Sequence, residues 1–210
     1  MKQLNVPLYD ATLVRKISER LTAENAKARW EDNSGNYKKF KDDITVELLN
    51  KQDGRCAYCG CRLFGRPHRD HIAPKSPYFQ WTYWPENIVL TCAPCNVDQK
   101  GTYNPVLTQG STYGGTTFKF VHPYFDDPRD HIRFVGHRLD ILISIVNSSQ
   151  KGLETIRLFD LNNVHRSKER AMHAAFCMDV QYLHGKWKRL LEQVALAPFP
   201  RKLILSRIGS

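Results

Sequence analysis

The sequence has no apolar run near the ~18–20 residues that cross a bilayer. Its opening, Met1-Lys2-Gln3-Leu4-Asn5-Val6-Pro7, lacks the apolar core of a secretory signal. A cytoplasmic protein without membrane contact is therefore expected. Internal repeats and low-complexity tracts are also missing, which excludes solenoids and disordered arrays. Acidic residues are in short supply, 21 Asp+Glu against 31 Lys+Arg, giving a net charge of +10 and a pI of about 9.4. Such an excess favours a polyanionic partner, because contacts to phosphate release condensed counterions. A basic surface that only confers solubility fits the same charge. No single Lys/Arg block dominates, so the excess does not form a disordered nucleic-acid tail.

Cysteine is absent before position 56, and five of the six cysteines fall between 56 and 95. A disulfide scaffold would spread them along a shorter, secreted chain. Cys177 stands alone in an apolar helical context and reads as a core filler.

A chain of 210 residues can build one compact unit with a sizeable core. Residues 1–54 read as N-terminal helices. One covers about 9–30, capped by Asp10 with Val14, Ile17 and Leu21 at helical spacing; a second covers about 37–51, with Phe40, Ile44 and Leu48 on one side. Residues 55–105 hold the cysteines and two short strand candidates, 68–73 and 87–91, before a helix opening at Ala93-Pro94. Residues 106–150 read as an irregular or β connection, with alternating apolar residues from 132 to 146. Residues 151–210 read as a C-terminal helical region, with helices at about 151–178 and 179–195 and Asn162-Asn163 as a candidate break.

The chemistry concentrates between Cys56 and Lys100. Cys56-Ala57-Tyr58-Cys59-Gly60 opens this stretch and Cys92-Ala93-Pro94-Cys95-Asn96 closes it, with His68-Arg69-Asp70-His71 and Asn87-Ile88-Val89-Leu90 between. Two Cys-x-x-Cys pairs can close a tetrahedral zinc site with no open position, which is a structural site. Gly60 supplies the positive φ that such a knuckle requires. Cys61 competes with Cys59 for the metal, and the spacing favours Cys59. What the zinc holds in place is Asp70, His71, Asn87 and Asn96.

Together these residues resemble the HNH endonuclease motif. The resemblance implies an α+β fold, a zinc-stapled ββα-metal finger embedded in flanking α-helices. It implies a structural Zn2+ on Cys56, Cys59, Cys92 and Cys95, with His71 as general base and Asn87 bracing the loop that orients it. Asp70 and Asn96 would carry a catalytic Mg2+ or Mn2+; the last position, often histidine in the family, is here an asparagine. Carboxylate and amide oxygens suit such hard cations, and a neutral imidazole suits a base near pH 7. Lys100, one helical turn past Asn96, is expected to meet a phosphate. His68, two residues before Asp70 on a strand, shares its face and reads either as a metal or phosphate contact or as a supporting residue.

Beyond the finger, His122, Asp126, Asp127, Asp130 and His131 admit two readings, a second metal site or a structured turn packed on the finger. The segment His122 to Asp126, with Thr155-Ile156, Leu161-Asn162 and Arg170, resembles the HNH proteins of Septu-type anti-phage systems, including those attached to retrons. That resemblance implies a DNA-cleaving effector working beside an ATPase of the ABC/SMC-like type. Arg166, Lys168, Arg170, Lys186, Lys188 and Arg189 read equally as a backbone-binding surface or as solvated helix faces. Trp30, Trp81, Trp84 and Trp187 read as base-stacking or core aromatics. Two other functional readings stay open: a zinc-dependent nucleic-acid-binding or assembly subunit without turnover, and a nuclease acting on RNA or tRNA, since such a finger reads backbone more than base edges.

Overall fold

In the computed structural model the described residues are 1–137 and 140–181. Helix α1 (Ala11–Ser18) starts where Asp10 Oδ1 accepts the Leu13 N–H at 3.0 Å, and it buries Leu13, Val14 and Ile17. The expected single helix over 9–30 is broken. Thr22 and Asn25 exchange side-chain-to-backbone hydrogen bonds at 2.9 and 3.3 Å, and Asn25 also donates to the Arg20 carbonyl. Such local bonds offer the backbone an alternative to helix, and α2 begins afresh at Ala26–Glu31. Helix α3 (Gly35–Lys51) buries Phe40, Ile44 and Leu48, as its periodicity predicts.

The end of α3 is fastened to the finger through one amide. Gln52 donates to the Leu90 carbonyl and accepts the Leu90 N–H, both at 2.8 Å. It thus satisfies the Leu90 N–H, which would otherwise be buried unpaired, while the Leu90 carbonyl also accepts the Ala57 N–H at 3.0 Å. The hairpin consists of β1 (His68–His71) and β2 (Ile88–Thr91), antiparallel, with Asp70 opposite Val89 and His71 opposite Ile88. Helix α4 (Pro94–Lys100) follows and is wound wide: the Gly101 N–H reaches back five residues to the Asn96 carbonyl. Widened turns of this kind occur frequently at functional sites.

Two more antiparallel pairs follow, β3 (Val106–Thr108) with β4 (Thr117–Phe118) and β5 (Ile132–His137) with β6 (Asp140–Ile145). Helices α5 (Gln150–Leu158) and α6 (Val164–Gln181) are separated where the sequence placed Asn162-Asn163. The Asn162 amide clamps β6, accepting the Ile143 N–H at 2.7 Å and donating to its carbonyl at 2.9 Å. The expected helix at 179–195 lies essentially outside the described residues, as do Lys186, Trp187, Lys188 and Arg189.

The core is continuous from Leu4 to Leu161 and centres on the finger: Tyr58, Ile72, Tyr83, Ile88, Val89 and Leu90 are fully buried. Tyr83 ties the N-terminal helices to the finger loop, packing on Phe40 and Trp30 and donating to the Arg29 carbonyl at 2.6 Å. Tyr58 does the same for the C-terminal side, stacked on Phe159 at 4.1 Å. No helix among the described residues is long and apolar enough to cross a membrane.

Candidate functional site

The two Cys-x-x-Cys turns converge. The sulfurs of Cys56, Cys59, Cys92 and Cys95 all lie within 4.8 Å of one another, and three of the four residues are buried. Gly60 has a φ of 73°, so the knuckle turn needs glycine there. Cys61 stays outside the quartet, its sulfur 4.0 Å from the Cys59 carbonyl. The surroundings fit a zinc ion on four thiolates, a group of net charge −2. Arg166 and Arg170 each bury an Nη1 atom that no hydrogen bond satisfies among the described residues. Both guanidinium groups sit in the electrostatic field of these cysteines. Burial alone would lower the pKa of Arg166, and the cysteines more than reverse that, raising it. Two cations beside the quartet, Arg166 buried and Arg170 half-buried, match the charge of a loaded site.

Successive residues of β1 point to opposite faces. His68 and Asp70 face α4. The Asn96 amide nitrogen lies 3.1 Å from His68 Nδ1, and Lys100 Nζ lies 3.0 Å from Asp70 Oδ1. Strand residues two apart thus meet helix residues four apart. The other Asp70 oxygen accepts the Tyr58 hydroxyl at 2.5 Å. Arg69 and His71 face the opposite way. Arg69 donates to Thr45 Oγ1 and the Lys41 carbonyl of α3. His71 Nε2 lies 2.8 Å from the Thr82 carbonyl, which can only accept, so the proton sits on Nε2 and Nδ1 keeps its lone pair. Trp30 packs edge-on against the imidazole, ring centroids 4.3 Å apart, and Lys75 Nζ stands 3.5 Å from Nδ1. Burial, and then the charge of Lys75, push the His71 pKa well below its ordinary value, which keeps the ring neutral.

Asn87 holds the loop on which this depends. Its Oδ1 accepts the Ala73 N–H at 2.7 Å and the Tyr113 hydroxyl at 3.0 Å; its Nδ2 donates to the carbonyls of Ala73 and Trp81 at 3.1 and 3.0 Å. Trp81 immediately precedes Thr82, so Asn87 fixes the carbonyl that orients His71.

Comparison with known proteins bears on this geometry. Residues 56–101 match the family model described as HNH endonuclease. The segment is an HNH domain. The chain is also similar to the Septu protein PtuB of Bacillus thuringiensis, 26% identical over 151 residues, which is 70% of this chain and 52% of that protein. The chain thus spans about half the length of that curated relative.

Apart from the cysteines, the expected site residues of the HNH finger, His68, Asp70, His71, Asn87, Asn96 and Lys100, lie on β1, on α4 or at the foot of β2, and each is in contact with another part of the site. Lys100 has a different place from the one expected. It is only 4% exposed and spends its donors on Asp70 and, at 2.7 Å, on the His71 carbonyl, so it organises the site from inside instead of reaching for a phosphate. Helical spacing puts it on the Asn96 face of α4, and that whole face packs on β1, so the ammonium meets Asp70. His68 is half-buried and lines an open cleft of about 330 Å3 with Trp30, Arg66, Pro67, Arg69 and Asn96.

The acidic cluster beyond the finger resolves in favour of a packed turn. His122 is fully buried, with Nε2 3.0 Å from the Tyr113 hydroxyl and Nδ1 accepting the Tyr124 N–H at 3.2 Å. Burial lowers its pKa to about 3. Asp126 accepts the His122 N–H at 2.7 Å and pairs with Lys151 at 2.8 Å, and Asp127 pairs with Arg129. Among the described residues, the cysteine quartet is the group placed to hold a metal ion. Arg166 and Arg170 are turned inward too: Arg166 donates to Gln99, and Arg170 donates to the carbonyls of Ile141 and Leu161.

Sequence reasoning passed over Tyr58, Lys75, Thr82 and Tyr113. Tyr58 sits inside the first Cys-x-x-Cys, where a large aromatic between two ligands was a usable signal. Nothing in the sequence marks Thr82, which acts through its carbonyl.

Proposed function

We propose that this chain is an endonuclease that hydrolyses DNA phosphodiester bonds with a divalent cation, as the effector of a bacterial anti-phage defence system. The observation that carries the reading is the bond from His71 Nε2 to the Thr82 carbonyl, which leaves Nδ1 as a neutral base inside an HNH finger. His71 takes a proton from the attacking water at Nδ1. Asn87 keeps Thr82 in register so that the ring presents that nitrogen. Asp70 and Asn96 would hold magnesium or manganese. Each Asp70 oxygen accepts one hydrogen bond and retains a lone pair, and the Asn96 contact to His68 runs through its nitrogen, so its oxygen stays available. When bound, such a cation stabilises charge on the phosphorane and on the leaving 3′ oxygen.

The net charge of +10 suits DNA as partner. The similarity to a Septu protein supports the defence role, and the resemblance to Septu-type systems implies an ATPase partner of the ABC/SMC-like type. A second reading is favoured by one observation: Asp70 is already engaged by Lys100 and Tyr58. A zinc-dependent nucleic-acid-binding subunit without turnover would need no free carboxylate.

The deciding experiment incubates zinc-loaded protein with supercoiled plasmid and magnesium or manganese, and compares the parent chain with His71→Ala. Nicking or linearisation by the parent, lost in the variant at equal zinc content, is the expected result. Equal cleavage by both would remove His71 as base. DNA binding with no cleavage by the parent, including in the presence of its ATPase partner, would favour the second reading, and an RNA control reports on that substrate.

A further inference from the structure

Of the basic side chains packed close to β1 by the finger and by α3, Lys100, Lys41 and Arg69 have evident partners. Lys100 pairs with Asp70; Lys41 donates to the carbonyls of Trp30 and Asp32 and to Asn33; Arg69 donates to α3. Lys75 differs. It is half-buried, and among the described residues no carboxylate lies within ion-pair distance of it. Its hydrogen-bond partner is Nδ1 of His71, at 3.5 Å, and its ammonium stands 5.7 Å from the centre of the Trp30 ring. An ammonium held largely out of water without a counter-ion is costly. Desolvation lowers its pKa, and Asp70 and Glu31, beyond ion-pair distance, oppose that only in part. The missing anion has one natural location, beside the nitrogen that is to receive the water's proton.

From this we infer that Lys75 is a catalytic residue that takes a non-bridging oxygen of the scissile phosphate, the phosphodiester being the counter-ion the site lacks. Phosphate binding draws the ammonium off Nδ1, which frees that lone pair for the attacking water. Trp30, from a helix outside the matched segment 56–101, walls the same position and limits how far Lys75 can swing. No bond to Lys75 forms or breaks; it stabilises charge that grows on the phosphoryl oxygens in the transition state. The inference rests on the nuclease reading for its catalytic half and on charge and geometry for its binding half, and the two halves are tested separately.

The binding arm measures fluorescence anisotropy of a labelled DNA duplex in EDTA across a salt series, for the parent, Lys75→Met and Lys75→Arg. The expected result is a slope of log K against log salt that becomes shallower by about 0.9 in Lys75→Met and is unchanged in Lys75→Arg. The cleavage arm measures single-turnover plasmid nicking by the same proteins at matched zinc content and matched melting temperature. Here the expected loss in Lys75→Met is roughly 10²–10³-fold, the cost of removing one transition-state donor, with partial activity in Lys75→Arg. An unchanged salt slope in Lys75→Met overturns the inference, and so does undiminished cleavage. A parent chain that cleaves nothing while Lys75→Met still loses the slope would retain the phosphate contact and reject the nuclease reading.

Discussion

Lys100 Nζ lies 3.0 Å from Asp70 Oδ1, and the two side chains are only 3% and 8% exposed. A pair this deeply placed is expensive to break from one side, because the remaining charge is left in low dielectric. Lys100→Met should therefore destabilise the protein by roughly 3–5 kcal/mol, and Asp70→Asn alone by a comparable amount. The double variant should lose clearly less than the sum, since neither charge is then stranded. Urea unfolding of the four zinc-loaded proteins measures the coupling. Additive losses would mean that the contact contributes little and that Lys100 is free to leave Asp70.

Asn87 uses both ends of its amide on buried groups, meeting the Ala73 backbone twice, the Trp81 carbonyl once and the Tyr113 hydroxyl once. Asn87→Ala leaves several of these groups unsatisfied, and each such group costs about 1–3 kcal/mol. Asn87→Asp keeps the volume but turns an acceptor toward the carbonyls of Ala73 and Trp81. Both variants should lower the single-turnover cleavage rate far more than they weaken DNA binding, because the damage falls on the orientation of His71 and not on a phosphate contact. A variant with full cleavage would show that the Thr82 carbonyl holds its position without Asn87.

The parts of this site that were legible in the sequence are those carried by the motif as a whole or fixed by local spacing. The Asp70-His71 pair and the Asn87 and Asn96 positions are recognisable through the resemblance of the whole stretch to the HNH motif, and the two Cys-x-x-Cys turns because zinc geometry constrains neighbours in the chain. Phe40, Ile44 and Leu48 were legible for the same reason, as a helical stripe. The place of Lys100 was not, because helical spacing gives the face it shares with Asn96 but not that this face is buried against β1. Nor was the split between α1 and α2, since the side-chain bonds of Thr22 and Asn25 compete with the helix in a way that apolar periodicity does not register. Lys75 and Tyr113 were hidden for a further reason: each acquires its role from a contact made by the fold, with His71 and with Asn87, that no spacing rule encodes.

The cysteine quartet predicts how the finger fails. Cys59 and Cys92 bring their sulfurs to 3.8 Å, whereas Cys61 lies outside the cluster. Cys61→Ser should bind one zinc per chain and unfold like the parent. Cys95→Ser should lose the metal, and a strong chelator should act on the parent in the same way, because the binding energy of a structural zinc is folding energy. Zinc content by mass spectrometry under native conditions, with amide exchange across 56–101, reads both effects. Loss of zinc from Cys61→Ser would reassign the fourth ligand.

His122 makes a pH prediction that is independent of catalysis. Its ring is buried against Phe118 and Phe125 and pushed to a pKa of about 3, against 6.5 when exposed. Between those values the unfolded chain binds a proton that the folded chain refuses. The stability contributed by neutral His122 is thus fully present above pH 6.5 and is lost as pH falls toward 3. By pH 5 the loss from this group should be about 2 kcal/mol. His71 is buried in the same sense and adds to the slope, so the parent's curve alone does not isolate His122. The difference between the parent and His122→Gln does, because an amide of similar reach has no proton to take up. Urea unfolding at pH 7.5 and pH 5 should find the variant less stable at the higher pH, where the bond to Tyr113 is weakened, and the gap between the two proteins should shrink by about 2 kcal/mol at the lower. Parallel losses in the two proteins would mean that His122 already escapes its pocket when protonated, and that the turn it anchors is looser than its packing indicates.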